Sequence, residues 1–195
     1  RYKPEKRKES SSAKEIIKGR VFIDERPEII NQRLRSGDFE SDTLGVPRTS
    51  KETLVGAADR QSRFFLAKKI SRLKEAMPNL KELLNPYQTL SFTMDSGPEN
   101  ARYKMLNTPT FFCHPYSAWE KGTIENAFKR LRRYIPKKSR LNLNKYSDEK
   151  ISAIIDKMNN KPKKCLGRRN PKEVFFEQQL KQSNQLTIFN LERCT

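Results

Sequence analysis

The order of strand-like and helix-like runs limits this chain more than any other feature of its sequence. Segments 39–44, 53–58 and 64–70 are rich in strand formers; the first stops at Gly45, and the last two are joined by the polar turn Asp59-Arg60-Gln61-Ser62. Runs joined this way predict an antiparallel meander of three strands. An amphipathic helix is expected over 71–85, where Leu73, Met77, Leu80, Leu83 and Leu84 recur at helical spacing in spite of Pro78. A strand over 89–94 then enters the turn Asp95-Ser96-Gly97, followed by a helix over 98–106, a strand over 110–113 and a strongly amphipathic helix over 123–135. Pro27 and Gly37 bracket a short helix over 27–35, ahead of the meander. Two more helices are expected over 147–159 and 171–180, and the last fifteen residues have no clear assignment.

A meander followed by parallel strands joined through helical crossovers predicts an α/β protein of ribonuclease-H-like fold, with a mixed five-stranded sheet flanked by helices. The expected divisions are a basic, Ser-rich arm over 1–20, a core over 21–180 and a tail over 181–195. The net charge is +18, and it is unevenly placed. Residues 1–20 contribute +5 and residues 121–172 contribute +13, so the rest is neutral. Such clustering points to a polyanionic partner, against the ordinary alternative of a Lys-rich solvated surface. Cys113, Cys165 and Cys194 lie far apart and His114 is the single histidine, so a disulfide framework or a zinc site is not expected and a reducing cytosol is. There is no run of apolar residues of membrane-spanning length and no visible signal peptide. A chain opening on Arg1 rather than Met is expected to be part of a longer protein.

Three acids stand out by position. Asp42 lies in the first strand, Asp95 at the end of the fourth, and Glu125 in the first turn of the helix over 123–135. In the expected sheet the first and fourth strands are neighbours and that helix packs beside them, so the three carboxylates can converge. Mg²⁺ takes such hard oxygen ligands, and two ions can activate an attacking oxygen and stabilise a leaving one. Each acid also has an ordinary role open to it: a polar residue on an exposed strand face for Asp42, a turn cap for Asp95, a helix-dipole partner for Glu125. Asp59 also ends a strand, but Arg60 and Arg63 beside it offer salt bridges, which marks it as structural. Along the helix, Ile124, Ala127, Phe128, Leu131 and Ile135 form a core stripe, and Glu125, Lys129 and Arg132 share one flank.

Several segments together resemble the transposases of the IS-thirty family of bacterial insertion sequences. GDFESDTLG is similar to that family's GHWEGDLI, and TLVGAADRQSR to its TLVDRKSR. TMDSGPEN is similar to TxDNGxEF, PYSAWEKGTIEN to PYSxWQRGxNEN, and MNNKPKKCLGRRNPKEVF to LNNRPRKxLGxxTPxEVF. The resemblance covers about residues 21–177. It implies an integrase-type core with a DDE metal triad of Asp42, Asp95 and Glu125 holding two Mg²⁺ ions, for which Mn²⁺ would substitute. It also implies hydrolysis and strand transfer at the ends of an insertion sequence, a homo-oligomer on paired DNA ends, DNA as both end and target, and a bacterial cytoplasmic, nucleoid-associated setting. The family's N-terminal helix-turn-helix is not found in these residues.

Within the matched segments, Tyr116 and Trp119 are candidates to stack on an unpaired base, or else to pin their loop to the core. Lys121, Asn126, Lys129, Arg132 and Arg133 are candidates for phosphate contacts. Lys161, Lys163, Lys164, Arg168 and Arg169 form a basic stretch suited to the DNA backbone. The sequence departs from the family at Ser96, Asn100 and Glu120, where Asn, Phe and Gln are usual, and its Asp95–Glu125 interval of 29 residues is somewhat short. These departures keep two alternatives open: a decayed or domesticated DNA-binding protein, and a structure-selective nuclease of the same fold.

Overall fold

The computed structural model describes residues 17, 19–44, 52–135 and 143–192. The expected basic arm lies, apart from residues 17, 19 and 20, outside the described residues, as do residues 193–195. Six strands form one mixed sheet: β1 (Val21–Phe22), β2 (Asp38–Leu44), β3 (Thr53–Asp59), β4 (Phe65–Ile70), β5 (Ser91–Met94) and β6 (Thr110–Phe112). Their order across the sheet is β1-β6-β5-β2-β3-β4. The meander β2–β3–β4 is antiparallel, whereas β5 runs parallel to both β2 and β6. This is the ribonuclease-H-like arrangement expected from element order, with one strand more. The extra strand, β1, is two residues long and adds to the edge parallel to β6, pairing Val21 with Phe111 and Phe22 with Phe112.

Among the described residues there are five α-helices: α1 (Glu28–Asn31), α2 (Ala76–Leu84), α3 (Gly122–Leu131), α4 (Asp148–Asn159) and α5 (Pro171–Glu192). Alternation along β2 sorts its side chains. Phe39 enters the core that also holds Met77, Leu80 and Leu84 of α2 and Phe175 of α5. Leu44, on the opposite face, joins Ile124, Phe128 and Leu131 of α3 and Ile155 and Met158 of α4. Glu40 and Asp42 share that second face, so the strand delivers both to α3. Gly56, paired with Asp42 across β2 and β3, lets α3 come close: a Cβ there would lie 2.9 Å from Phe128 Cζ.

The structure departs from the sequence reading in its helices: α1 stops at Asn31 and α3 at Leu131, short of the expected ends at 35 and 135. Pro78 falls in the first turn of α2, where it removes no helical hydrogen bond; Leu73–Glu75 ahead of it form a separate 3₁₀ turn. The helix expected over 98–106 is two 3₁₀ turns, Pro98–Asn100 and Tyr103–Leu106, the second closed by Asn107 in the left-handed region at φ 50. α5 runs on past residue 180 to Glu192. Among the described residues, no helix is long and apolar enough to cross a membrane.

Candidate active site

The parallel pairing of β2 with β5 sets Phe39 beside Phe92 and Glu40 beside Thr93. Continuing that register by two residues sets Asp42 beside Asp95, just past the end of β5. Two carboxylates this close repel unless a cation lies between them. Lys121 supplies it: its Nζ is 3.1 Å from Asp42 Oδ2 and 3.1 Å from Asp95 Oδ2. The lysine is 5% exposed, whereas the Asp42 and Asp95 side chains are 23% and 42% exposed, so the carboxylates stay open to solvent on one side. Burial alone would lower the ammonium's pKa, but the two aspartates outweigh it and hold Lys121 above its ordinary value. Burial, reinforced by the Asp95 charge, pushes Asp42 up although Lys121 pulls it down.

Both aspartates are held from behind. Asp42 Oδ1 accepts from the Thr43 N–H at 2.7 Å. Asn100, 3% exposed, donates its Nδ2 to Asp95 Oδ1 at 2.7 Å and to the Asp95 carbonyl at 3.0 Å. The Asn that replaces the family's usual Phe thus orients an aspartate. Glu99, on the same turn, is raised first by burial and then by the charges of Asp95 and Asp42. The hydroxyl of Ser96 is buried without a hydrogen-bond partner beside this group.

A buried pair fixes α3. Glu40, 0% exposed, pairs with Arg60 on one oxygen. Its other oxygen accepts from the N–H groups of Thr123 and Ile124, at 2.7 and 3.0 Å. These are orphan donors of the first helical turn, and an anion there also meets the positive end of the helix dipole. Arg60 further donates to the Ile30 carbonyl, tying α1 to the same point. Asp59 is structural as expected, but through other partners: Gly37 N–H and both the N–H and hydroxyl of Ser62 donate to it. Arg60 is taken by Glu40, and Arg63 donates to Thr123 Oγ1 instead.

Of the residues singled out by sequence, Asp42 and Asp95 meet. Glu125 lies one turn beyond Lys121 on the exposed flank of α3, and no contact joins it to the two aspartates. Among the described residues, no three His, Cys, Asp or Glu side chains are grouped closely enough to hold a metal. Lys121 is at the carboxylates rather than on the surface. Glu120 turns away from them and accepts from His114, through its N–H at 2.8 Å and Nδ1 at 3.1 Å. Tyr116 is 100% and Trp119 76% exposed, so neither ring pins its loop to the core. Lys129 is exposed and Arg132 half-buried just past the end of α3, and the Asn126 amide donates to the Gly122 carbonyl. Arg133, Lys161, Lys163 and Lys164 line one hollow, Arg168 is exposed, and Arg169 is paired with Glu177. Sequence reasoning missed Glu40, although it lies two residues before Asp42 on the same strand face, the spacing that signals shared orientation.

His114 links the site's approach loop to β1. Its ring stacks on Phe22, and Nε2 lies 2.9 Å from Asp24 Oδ2. The Glu120 hydrogen bond, then the Asp24 charge, raise its pKa. A raised histidine contributes stability that is full below about pH 6.5 and fades as pH rises through the folded value. As the chain's single histidine, it gives an unambiguous NMR titration. The folded pKa should exceed 6.5 and fall back towards it in Glu120→Gln; equal values in both would contradict this pairing.

No protein-family profile matches the chain. It is 35% identical over 181 residues to the transposase of insertion sequence element IS4351 from Bacteroides fragilis, covering 87% of this chain and 54% of that protein. It is 35% identical over 169 residues to the IS1086 transposase of Cupriavidus metallidurans, covering 80% and 48%. It is 32% identical over 164 residues to transposase InsI of IS30A from Escherichia coli, covering 78% and 41%. The chain thus spans about half the length of these curated relatives. The catalytic core domain of BIV integrase superposes with a TM-score of 0.57 at 19% identity, over 76% of this chain and 99% of that one. A chain of the simian T-cell lymphotropic virus intasome superposes with a TM-score of 0.58 at 16% identity, over 72% and 54%. Over most of its length the chain is thus similar to the transposases of IS4351, IS1086 and IS30, and it has the integrase catalytic-core fold.

Proposed function

We propose that this chain is the catalytic core of a DNA transposase, a polynucleotidyl transferase that hydrolyses a phosphodiester at an element end and joins the freed 3′-OH to target DNA. The observation that carries this reading is the half-exposed Asp42–Asp95 pair, closed from the protein side by the buried Lys121 ammonium. A place that gathers two carboxylates around one ammonium suits a divalent cation, and the unpartnered Ser96 hydroxyl adds an uncommitted oxygen. Asp42 and Asp95 would hold Mg²⁺ or Mn²⁺, joined by Glu125 as the resemblance implies or by Glu99, whose carboxyl already feels both charges. Bound there, a divalent ion polarises the scissile phosphate and eases deprotonation of the attacking oxygen.

The remaining work falls to the chain itself. Asn100 keeps Asp95 in one orientation, and Glu40 keeps the first turn of α3, with Lys121 and Glu125 on either side of it, against β2. Lys129 and Arg132, on the flank of Glu125, are placed to bind DNA phosphates, and the exposed rings of Tyr116 and Trp119 to stack on an unpaired base. Assembly as a homo-oligomer on paired DNA ends belongs to the same reading. The test is nicking of a duplex carrying the element's terminal sequence. Nicking should need Mg²⁺ or Mn²⁺ and stop with a chelator. Nicking that persists in chelator would refute the reading, and so would DNA binding without nicking under any divalent ion.

A further inference from the structure

Two connected hollows open beside α3. The smaller, about 230 Å³, is walled by Arg33, Arg63, Thr123, Asn126, Arg130 and Lys163. It shares Arg130 and Lys163 with the larger, about 620 Å³, which continues along Arg133, Lys161 and Lys164. Thr123, Asn126 and Arg130 line the smaller hollow from one flank of α3, and none of Asp42, Asp95 and Lys121 lines it. The hollow is therefore separate from the carboxylate site.

Among the described residues, none of Arg33, Arg63, Arg130 and Lys163 forms an ion pair. The fold gathers them against their mutual repulsion. Arg33 is lowered first by burial and then by Arg63 and Arg60. Lys163 is lowered to about 8, by burial and then by Arg130. Arg33 and Arg63 also occupy left-handed backbone, at φ 58 and 63, a conformation costly for any residue with a Cβ. Arg63 is braced by Thr123 Oγ1 at 3.1 Å, and its carbonyl accepts from Lys163 Nζ at 3.3 Å. Four half-buried cations without a direct ion-pair partner, only Arg33 feeling the Glu40 charge from farther off, are a cost that a bound anion offsets. The smaller hollow has no aromatic wall for a base, and the larger one, where Tyr134 is among the lining residues, extends it by three further cations, which suits a chain of phosphates.

We propose that Arg33, Arg63, Arg130 and Lys163 form a phosphate pocket that grips the backbone of a DNA strand on the flank of α3 away from the carboxylates. This rests on the transposase reading and adds a grip on DNA outside its chemistry. The test compares the chain with an Arg33→Gln/Arg130→Gln double variant, using a labelled DNA duplex across a salt series. Every phosphate that is no longer neutralised should lower the slope of log K against log salt by about 0.9, so a drop of one to two is expected, with roughly tenfold weaker binding at low salt. The Arg33→Lys/Arg130→Lys variant keeps the charges and should restore most of both, which separates charge from misfolding. An unchanged slope in the glutamine variant would overturn the pocket. So would a slope unchanged while inorganic pyrophosphate raises the melting temperature of the original chain alone, since the pocket would then serve a free anion. Divalent-dependent nicking by the unsubstituted chain is scored in parallel. Nicking with an unchanged slope refutes the pocket alone, and a reduced slope without nicking keeps the pocket while refuting the transposase reading.

Discussion

Glu40→Ala is expected to lower the free energy of unfolding by about 3–5 kcal/mol, measured by urea denaturation, because it strands a buried charge. Arg60 would keep its buried position with no counter-charge, and the Thr123 and Ile124 N–H groups would be left without their acceptor. Domains are typically stable by about 5–15 kcal/mol, so the loss would be a large share of the total. Glu40→Gln keeps the shape and one acceptor oxygen and should cost less. Hydrogen exchange should rise first at the N-terminal turn of α3, where Glu40 holds the backbone. A loss below about 1 kcal/mol would mean that Glu40 does not anchor the helix.

Asp95→Asn should act in the opposite sense, sparing the fold and removing the chemistry. The amide is isosteric, so its oxygen can still accept from Asn100, and Lys121 keeps Asp42 as partner. The melting temperature should therefore stay near that of the original chain. A cation between the aspartates loses half of its carboxylate charge, and the rate of strand cleavage should fall by at least about a thousandfold, close to 4 kcal/mol of transition-state stabilisation. Binding of Mn²⁺, followed calorimetrically, should weaken in parallel. A rate within tenfold of the original, with equal Mn²⁺ affinity, would remove Asp95 from the proposed metal site.

The meander was legible in the sequence because period-two runs and a polar turn between the second and third strands carry local information, and β2–β4 formed nearly where expected. The core stripe of α3 was legible for the same reason, at helical period. Less local features were not. β1 has two residues, too few for alternation to register, and it exists because β6 offers an edge. The segment after Asp95 reads as a helix by composition, yet Asn100 turns its amide inward to Asp95 and the backbone closes in i→i+3 turns. The continuation of α5 past residue 180 lacks an apolar repeat. At the site, strand ends and a helix start made Asp42, Asp95 and Glu125 readable as candidates. That Lys121 lies between the two aspartates, and that Glu40 pins α3, are long-range pairings which residue spacing does not encode.

The most direct test is strand transfer. A duplex with a pre-cleaved 3′-OH element end and a supercoiled target plasmid are incubated with Mg²⁺ or Mn²⁺ and either this chain or its Asp42→Asn or Asp95→Asn form, each confirmed as folded by thermal melting. Joined products from the unsubstituted chain alone are the expected result, and they would place both aspartates in the reaction centre. Equal joining by the three proteins would contradict the account.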